Sequence, residues 1–125
     1  MATANHTLTQ AERLRSFGVI RRLFKDGRGG FIYPFRYVVY AEADEAFSAS
    51  VLFSTPKKFH KRANKRNLLR RRMREAYRLN KEILHEAGKG AVADIAIIYS
   101  SKEVHDYKTI ENALKRVLSN IAQSL

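Results

Sequence analysis

The segment Ala93-Asp-Ile-Ala-Ile-Ile-Tyr99 is apolar almost without interruption, the pattern of a strand buried on both faces in the interior of a sheet. A chain of 125 residues is large enough for one core and too small for two. The run is therefore expected to be the central strand of a single domain, with the other elements arranged around it.

Two further strands are expected. Residues 35–42 are aromatic and β-branched, with Pro34 near the start, where a missing donor is tolerable. In residues 47–54, Phe47, Ala49, Val51 and Phe53 alternate with Ser48, Ser50, Leu52 and Ser54. The turn Glu42-Ala-Asp-Glu between them suggests that these two strands pair as a hairpin. Ahead of them, Thr9-Gln-Ala-Glu12 has the form of a capping box, and Ser16 is a second candidate N-cap for a helix carrying Phe17, Ile20, Leu23 and Phe24 and ending near Asp26. Gly27 suits the left-handed residue after a helix, and Arg28-Gly29-Gly30 reads as a loop. Gly88-Lys-Gly90 marks the end of a later helix. The last helix starts after Asp106, a candidate N-cap, and continues to about Gln123; Tyr107, Ile110, Leu114, Val117 and Ile121 recur at steps of 3 and 4, a stripe suited to lying on a sheet and too short for a coiled-coil seam. The expected order is α-β-β-α-β-α in an α+β domain over residues 9–125, preceded by a flexible tail at 1–8.

Charge is concentrated in one place. Residues 57–78 hold Lys57, Lys58, Lys61, Arg62, Lys65, Arg66, Arg70, Arg71, Arg72, Arg74 and Arg78, 11 of the 24 basic residues, against Glu75 alone. The whole chain carries a formal charge of +12 with a pI near 10.3, which points to a polyanionic partner. At about 100° per residue, Leu69, Met73, Ala76, Tyr77 and Asn80 share one side of a helix, and Asn67, Arg71, Arg74 and Arg78 lie on or near the other, with Arg70 on the flank. Arg62 and Arg66 fall on the apolar side but in the first turns, where a guanidinium can reach outward past the core edge. A solvated helix face intersperses Glu with Arg at spacings of four; Arg62, Arg66, Arg70, Arg74 and Arg78 instead repeat one sign at that spacing. The pattern favours nucleic acid, and the planar arginine fork suits phosphate better than a lysine point charge does.

Other classes fit poorly. The basic helix lacks the Trp, Phe or Leu row needed to insert into a membrane surface, and the chain has no apolar run of about 18 residues and no secretion signal. Cysteine is absent, excluding disulfides and thiolate metal sites and permitting a reducing compartment such as the cytoplasm. His6, His60, His85 and His105 are scattered without ligand spacing, and Gly27, Gly29 and Gly30 lack the Lys-Ser/Thr ending of a phosphate-binding loop. Asp94, Glu103 and Asp106 read as solubilising or capping residues. No self-contained protein active site is expected.

Arg66-Asn67-Leu68-Leu69-Arg70-Arg71-Arg72-Met73-Arg74 resembles the Arg-Asn-x-x-Lys/Arg-Arg-x-x-Arg signature of the protein subunit of bacterial ribonuclease P. Ser54-Thr-Pro-Lys57-Lys58 is similar to that family's Ser-x-x-Lys-Lys strand exit, and Phe24-Lys-Asp-Gly27 to its Phe-x-x-Gly helix ending. The resemblance spans residues 14–118. It implies a small two-layer α/β sandwich, like the second domain of ribosomal protein S5, whose mixed sheet has a left-handed β-α-β crossover through the arginine helix. That would be an exception to the usual right-handed rule.

It also implies an accessory role in an RNA-catalysed, magnesium-dependent endonuclease that removes the 5′ leader of precursor tRNA. The partners would be the ribonuclease P RNA and the precursor tRNA, with no membrane and no DNA. Carried over by position, Arg66, Asn67, Arg70, Arg71 and Arg74 match the RNA-contact signature, and the adjoining Arg62 and Lys65 extend it. Phe24, Tyr40, Ser54 and Lys57, with Lys58 beside it, match a cleft for the single-stranded leader. Magnesium is expected mainly on the RNA, Asn67 being the candidate for an outer-sphere contact. Two positions depart from the family pattern: Leu68 and Ile20 stand where arginine and phenylalanine are frequent, and Arg72 is the candidate to replace the missing charge. The alternatives are a ribosomal-protein-like RNA-binding module without a processing role and a DNA-compacting basic protein.

Overall fold

The computed structural model describes residues 17–87 and 90–125. The elements are α1 (Phe17–Asp26), β1 (Arg28–Ile32), β2 (Phe35–Ala43), β3 (Ser48–Ser54), α2 (Ala63–Asn80), α3 (Glu82–Ala87), β4 (Ala91–Tyr99) and α4 (Tyr107–Ser124). All six expected elements are present, and β1 and the short α3 are additional. The fold is a mixed four-stranded sheet with helices, of the α+β class. The flexible tail, the capping box and the Ser16 cap lie outside the described residues, as do Gly88 and Lys89.

The strand order is β1-β2-β4-β3. β4 takes the interior position expected of it, antiparallel to β2 and parallel to β3. The hairpin expected between β2 and β3 is therefore not formed. Pairing them with each other would leave the twice-buried β4 at an edge, exposing its backbone groups and one neighbourless side. Inserted between them, β4 satisfies both of its ladders. The β2–β3 turn is tied to the start of β4 instead, by Asp44 N donating to Gly90 O at 2.8 Å. Gly90 has φ +60°, and a side chain there would also meet Asp44 O at 2.7 Å.

One face of the sheet is sealed. Val39, Val51, Ile95, Ile97 and Tyr99 form a continuous core with Leu69, Met73, Ala76 and Tyr77 of α2, Leu84 of α3, and Ile110, Leu114, Val117 and Ile121 of α4. The core rows assigned to α2 and α4 from their spacing are thus buried, except that Asn80 and Tyr107 at the ends of the rows are half-buried. On the other face α1 lays Leu23 and Ile20 against Val38, Tyr40, Leu52 and Ala96.

Gly27 departs from its expected conformation, because Gly90 is the glycine with positive φ among the described residues. Its small size is needed for close packing instead: a Cβ at Gly27 would lie 2.3 Å from Leu23 O and 2.7 Å from Val38 Cγ1. The Arg28-Gly29-Gly30 segment is strand β1 rather than a loop, paired antiparallel with β2. The Tyr37 ring lies over Gly30, 2.4 Å from where a Cβ would stand, so a side chain there would displace the ring.

Candidate nucleic-acid interface

The approach to α2 is fixed by local hydrogen bonds. After β3, Pro56 O accepts from the backbone N of Phe59 at 3.2 Å and of His60 at 3.4 Å. The buried His60 ring meets Ser101 O through Nε2 at 2.7 Å, tethering this turn to the loop after β4. Arg66, half-buried, donates from Nη1 to His60 O at 3.0 Å and Lys61 O at 2.7 Å. This predicted RNA contact therefore has its guanidinium on the chain's own backbone, holding the turn that starts the helix.

The other predicted contacts separate by helix face. Arg62, at the N-cap without a side-chain capping bond, and Lys65, Asn67, Arg71 and Arg74 are exposed. Arg70 is half-buried and donates to Asn67 Oδ1. Arg78 pairs with Glu75 one turn back, a bond that holds the Glu75 carboxyl below its usual range. Arg72, the candidate replacement for the charge missing at Leu68, is half-buried and donates to His105 O at 2.5 Å. It clamps α2 to the loop before α4.

Of the predicted cleft residues, Phe24, Tyr40 and Ser54 lie on the α1 side of the sheet without forming one cluster. Tyr40 lies opposite Asp94, and Ser54 lies opposite Ile98. Four residues along β4 separate these rows, about 13 Å at the usual strand rise. Phe24 is 49% exposed on α1. Ser54 is half-buried; Lys57 and Lys58 beyond it are exposed, the Lys58 ammonium 5.1 Å from the Phe59 ring centroid.

Tyr40 itself is covered. The Arg22 guanidinium stands 4.7 Å from its ring centroid, 3.4 Å from Asp94 Oδ2 and 3.9 Å from Glu42 Oε1, and the Tyr40 hydroxyl donates to Glu42 at 2.8 Å. Burial raises the Asp94 carboxyl above its ordinary value, with Arg22 opposing. Asp94 is thus a buried partner of α1, where sequence suggested a solubilising residue; nothing in the local pattern marks a pairing across 72 positions. A second network was also missed. Tyr33 OH meets Ser101 Oγ at 2.8 Å and His105 Nε2 at 3.2 Å, and Tyr99 OH donates to Glu103 O at 2.7 Å. Among the described residues no three His, Asp or Glu side chains are grouped to hold a metal ion, and no helix is long and apolar enough to cross a membrane.

Comparison with known proteins identifies the family. A family model described as Ribonuclease P matches residues 8–122. The chain is 39% identical over 123 residues to the ribonuclease P protein component of Porphyromonas gingivalis, covering 95% of this chain and 89% of the relative. It is 33% identical over 132 residues to that of Chlorobaculum tepidum, covering 92% and 85%. Among solved structures, the ribonuclease P protein of Thermotoga maritima superposes with a TM-score of 0.70 at 27% identity, over 87% of this chain and 96% of that one. The Staphylococcus aureus protein gives 0.68 at 21% identity, over 90% and 96%. With the arginine helix, the Ser-x-x-Lys-Lys strand exit and the mixed sheet all in place, the chain belongs to the ribonuclease P protein family.

Proposed function

We propose that the outward cations of α2 dock on the catalytic RNA of ribonuclease P, while the α1 side of the sheet receives the single-stranded 5′ leader of precursor tRNA. The observation that carries this reading is the row Arg62, Lys65, Arg71 and Arg74, exposed, with side chains that make no hydrogen bond or ion pair to any described residue. Such side chains are available for charge-assisted bonds to phosphate, two at a time for each guanidinium. The protein's part is to position RNA and substrate in the cytoplasm, with the chemistry left to the RNA.

Magnesium is assigned to the RNA. Asn67 fits poorly as an outer-sphere contact, since its Oδ1 accepts from the Arg70 guanidinium and the cations around it repel a hydrated dication.

Reconstitution of the full chain with its cognate RNA at low magnesium tests the proposal. Stimulated removal of the leader from precursor tRNA is expected. Absence of stimulation, together with equal affinity for unrelated RNAs, would instead support a general RNA-binding module.

A further inference from the structure

The α1 side of the sheet has two unlike ends. Toward the start of β4 it carries two carboxylates, Glu42 and Asp94, gathered around Arg22, which lies over one face of the Tyr40 ring. Toward the end of β4, pairing register places Phe31 opposite Arg36, Arg36 opposite Ile98, and Ile98 opposite Ser54. Partners in register share a face, so these four residues form one row across all four strands, spanning about 14 Å at three inter-strand spacings. No carboxylate stands in this row.

Phe31 is 56% exposed, an unusual placement for phenylalanine on an edge strand, where apolar exposure invites unwanted pairing. Arg36 is exposed, and its side chain makes no hydrogen bond or ion pair to any described residue. Ile98 and Ser54 beside them are half-buried, and Lys57 and Lys58, which follow Ser54 in the chain, are exposed. The row thus offers a free aromatic face, a cation beside it, an apolar floor and a hydroxyl, and the chain leaving Ser54 carries two more cations three and four residues on. A single-stranded nucleic acid needs this combination, bases stacking on an aromatic ring while cations follow the phosphates.

We propose that this row is a distal subsite for single-stranded RNA. Phe31 stacks a leader base, and Arg36 and Lys57 hold the flanking phosphates. The strand then crosses the sheet at this end, away from Glu42 and Asp94, whose charge repels phosphate. The subsite rests on the leader reading given above and extends its path to β1, which none of the predicted cleft residues reaches.

The test uses holoenzyme reconstituted from the full chain and its cognate RNA, with precursor tRNAs carrying either a one-nucleotide or a long leader. Phe31→Ala is expected to weaken binding of the long-leader precursor about ten-fold, within the range for losing one stacked base, and to leave the short-leader precursor unchanged. Phe31→Tyr should restore wild-type affinity, and Arg36→Gln should weaken the long-leader complex with a shallower salt dependence. Equal losses for both precursors, or no loss for either, overturn the subsite. So does an altered self-association of Phe31→Ala with unchanged leader affinity, which would make Phe31 a contact between copies. If wild-type holoenzyme does not distinguish the two leaders, the leader reading itself fails and the subsite with it; if only the variants fail, that reading stands. Matched thermal melts confirm that the variants are folded.

Discussion

Helices α2 and α4 are both 18 residues long, lie on the same face of the sheet and pack against each other, yet they are built for opposite purposes. α4 buries Ile110, Ala113, Leu114, Val117, Leu118, Ile121 and Ala122, and its N-terminus is capped by Asp106, whose side chain accepts from Thr109 N. α2 buries only Leu69, Met73, Ala76 and Tyr77; its N-cap is Arg62 with no side-chain capping bond, and its first turn holds no acidic residue. Cations at the positive end of a helix dipole work against the helix. The same arrangement favours an approaching anion, because the unpaired N–H groups and the cations then act together. What α2 gives up in stability on its own is available for binding phosphate.

This contrast makes its largest prediction in α4. Leu114→Ala removes a fully buried side chain from the core and should cost about 2–5 kcal/mol of unfolding free energy in a denaturant titration. The affinity for RNA of the protein that remains folded should be unchanged. Weakened RNA binding without loss of stability would place α4, and not α2 alone, at the RNA surface.

Within α2 the division is finer, and two arginines of the same signature should part company. Arg74, exposed and unpaired, should when changed to Ala leave stability within about 0.5 kcal/mol. Its loss should weaken binding to the RNA subunit by about 1–3 kcal/mol and reduce the salt slope by about one unit. Arg66, whose guanidinium bonds two backbone carbonyls of its own chain, should when changed to Ala lose about 1 kcal/mol of stability first. Filter-binding series against salt, paired with melting curves, separate the two. If Arg66→Ala is as stable as wild type, its guanidinium is free for RNA and the contrast drawn within α2 disappears.

Sequence made some of this legible and not the rest, and the boundary follows the range of the interactions. α4 could be read because its stripe and cap are local, repeating every three or four residues and closing on Thr109 three positions from Asp106. β4 could be read because a strand apolar on both faces has one comfortable place in a sheet. The core row of α2 followed from helix geometry alone. β1 could not be read, because Arg28-Gly29-Gly30 has the composition of a loop and becomes a strand through the Tyr37 ring that lies over Gly30. Strand order was hidden for a related reason: the choice between a β2–β3 hairpin and insertion of β4 is decided by satisfying both ladders of β4, which no single segment expresses. The inward turn of Arg66 and the hold of Asp94 on Arg22 depend on where side chains arrive after folding. Motif matching therefore singled out Arg66 and Tyr40 without revealing that Arg66 bonds its own backbone and that Arg22 lies over Tyr40.

The smallest effect expected is at the cap that α4 has and α2 lacks. The hydrogen bond from Thr109 holds the Asp106 carboxyl below its ordinary value. A carboxyl with a lowered folded-state pKa stabilises the fold at pH above the ordinary carboxylate range, and that stabilisation fades as pH falls through the lowered value. Asp106→Ala should therefore melt below wild type by a small margin that is widest near neutral pH and closes in acid. Asp106→Asn, whose neutral amide oxygen can still accept from Thr109, should lose less, and its melting temperature should not show the same acid-dependent convergence. Giving α2 what α4 has is the reciprocal change: Arg62→Ser should raise the melting temperature through a new cap while lowering RNA affinity through a lost cation. If Arg62→Ser gains stability at no cost in RNA affinity, the uncapped N-terminus of α2 is not what the RNA binds.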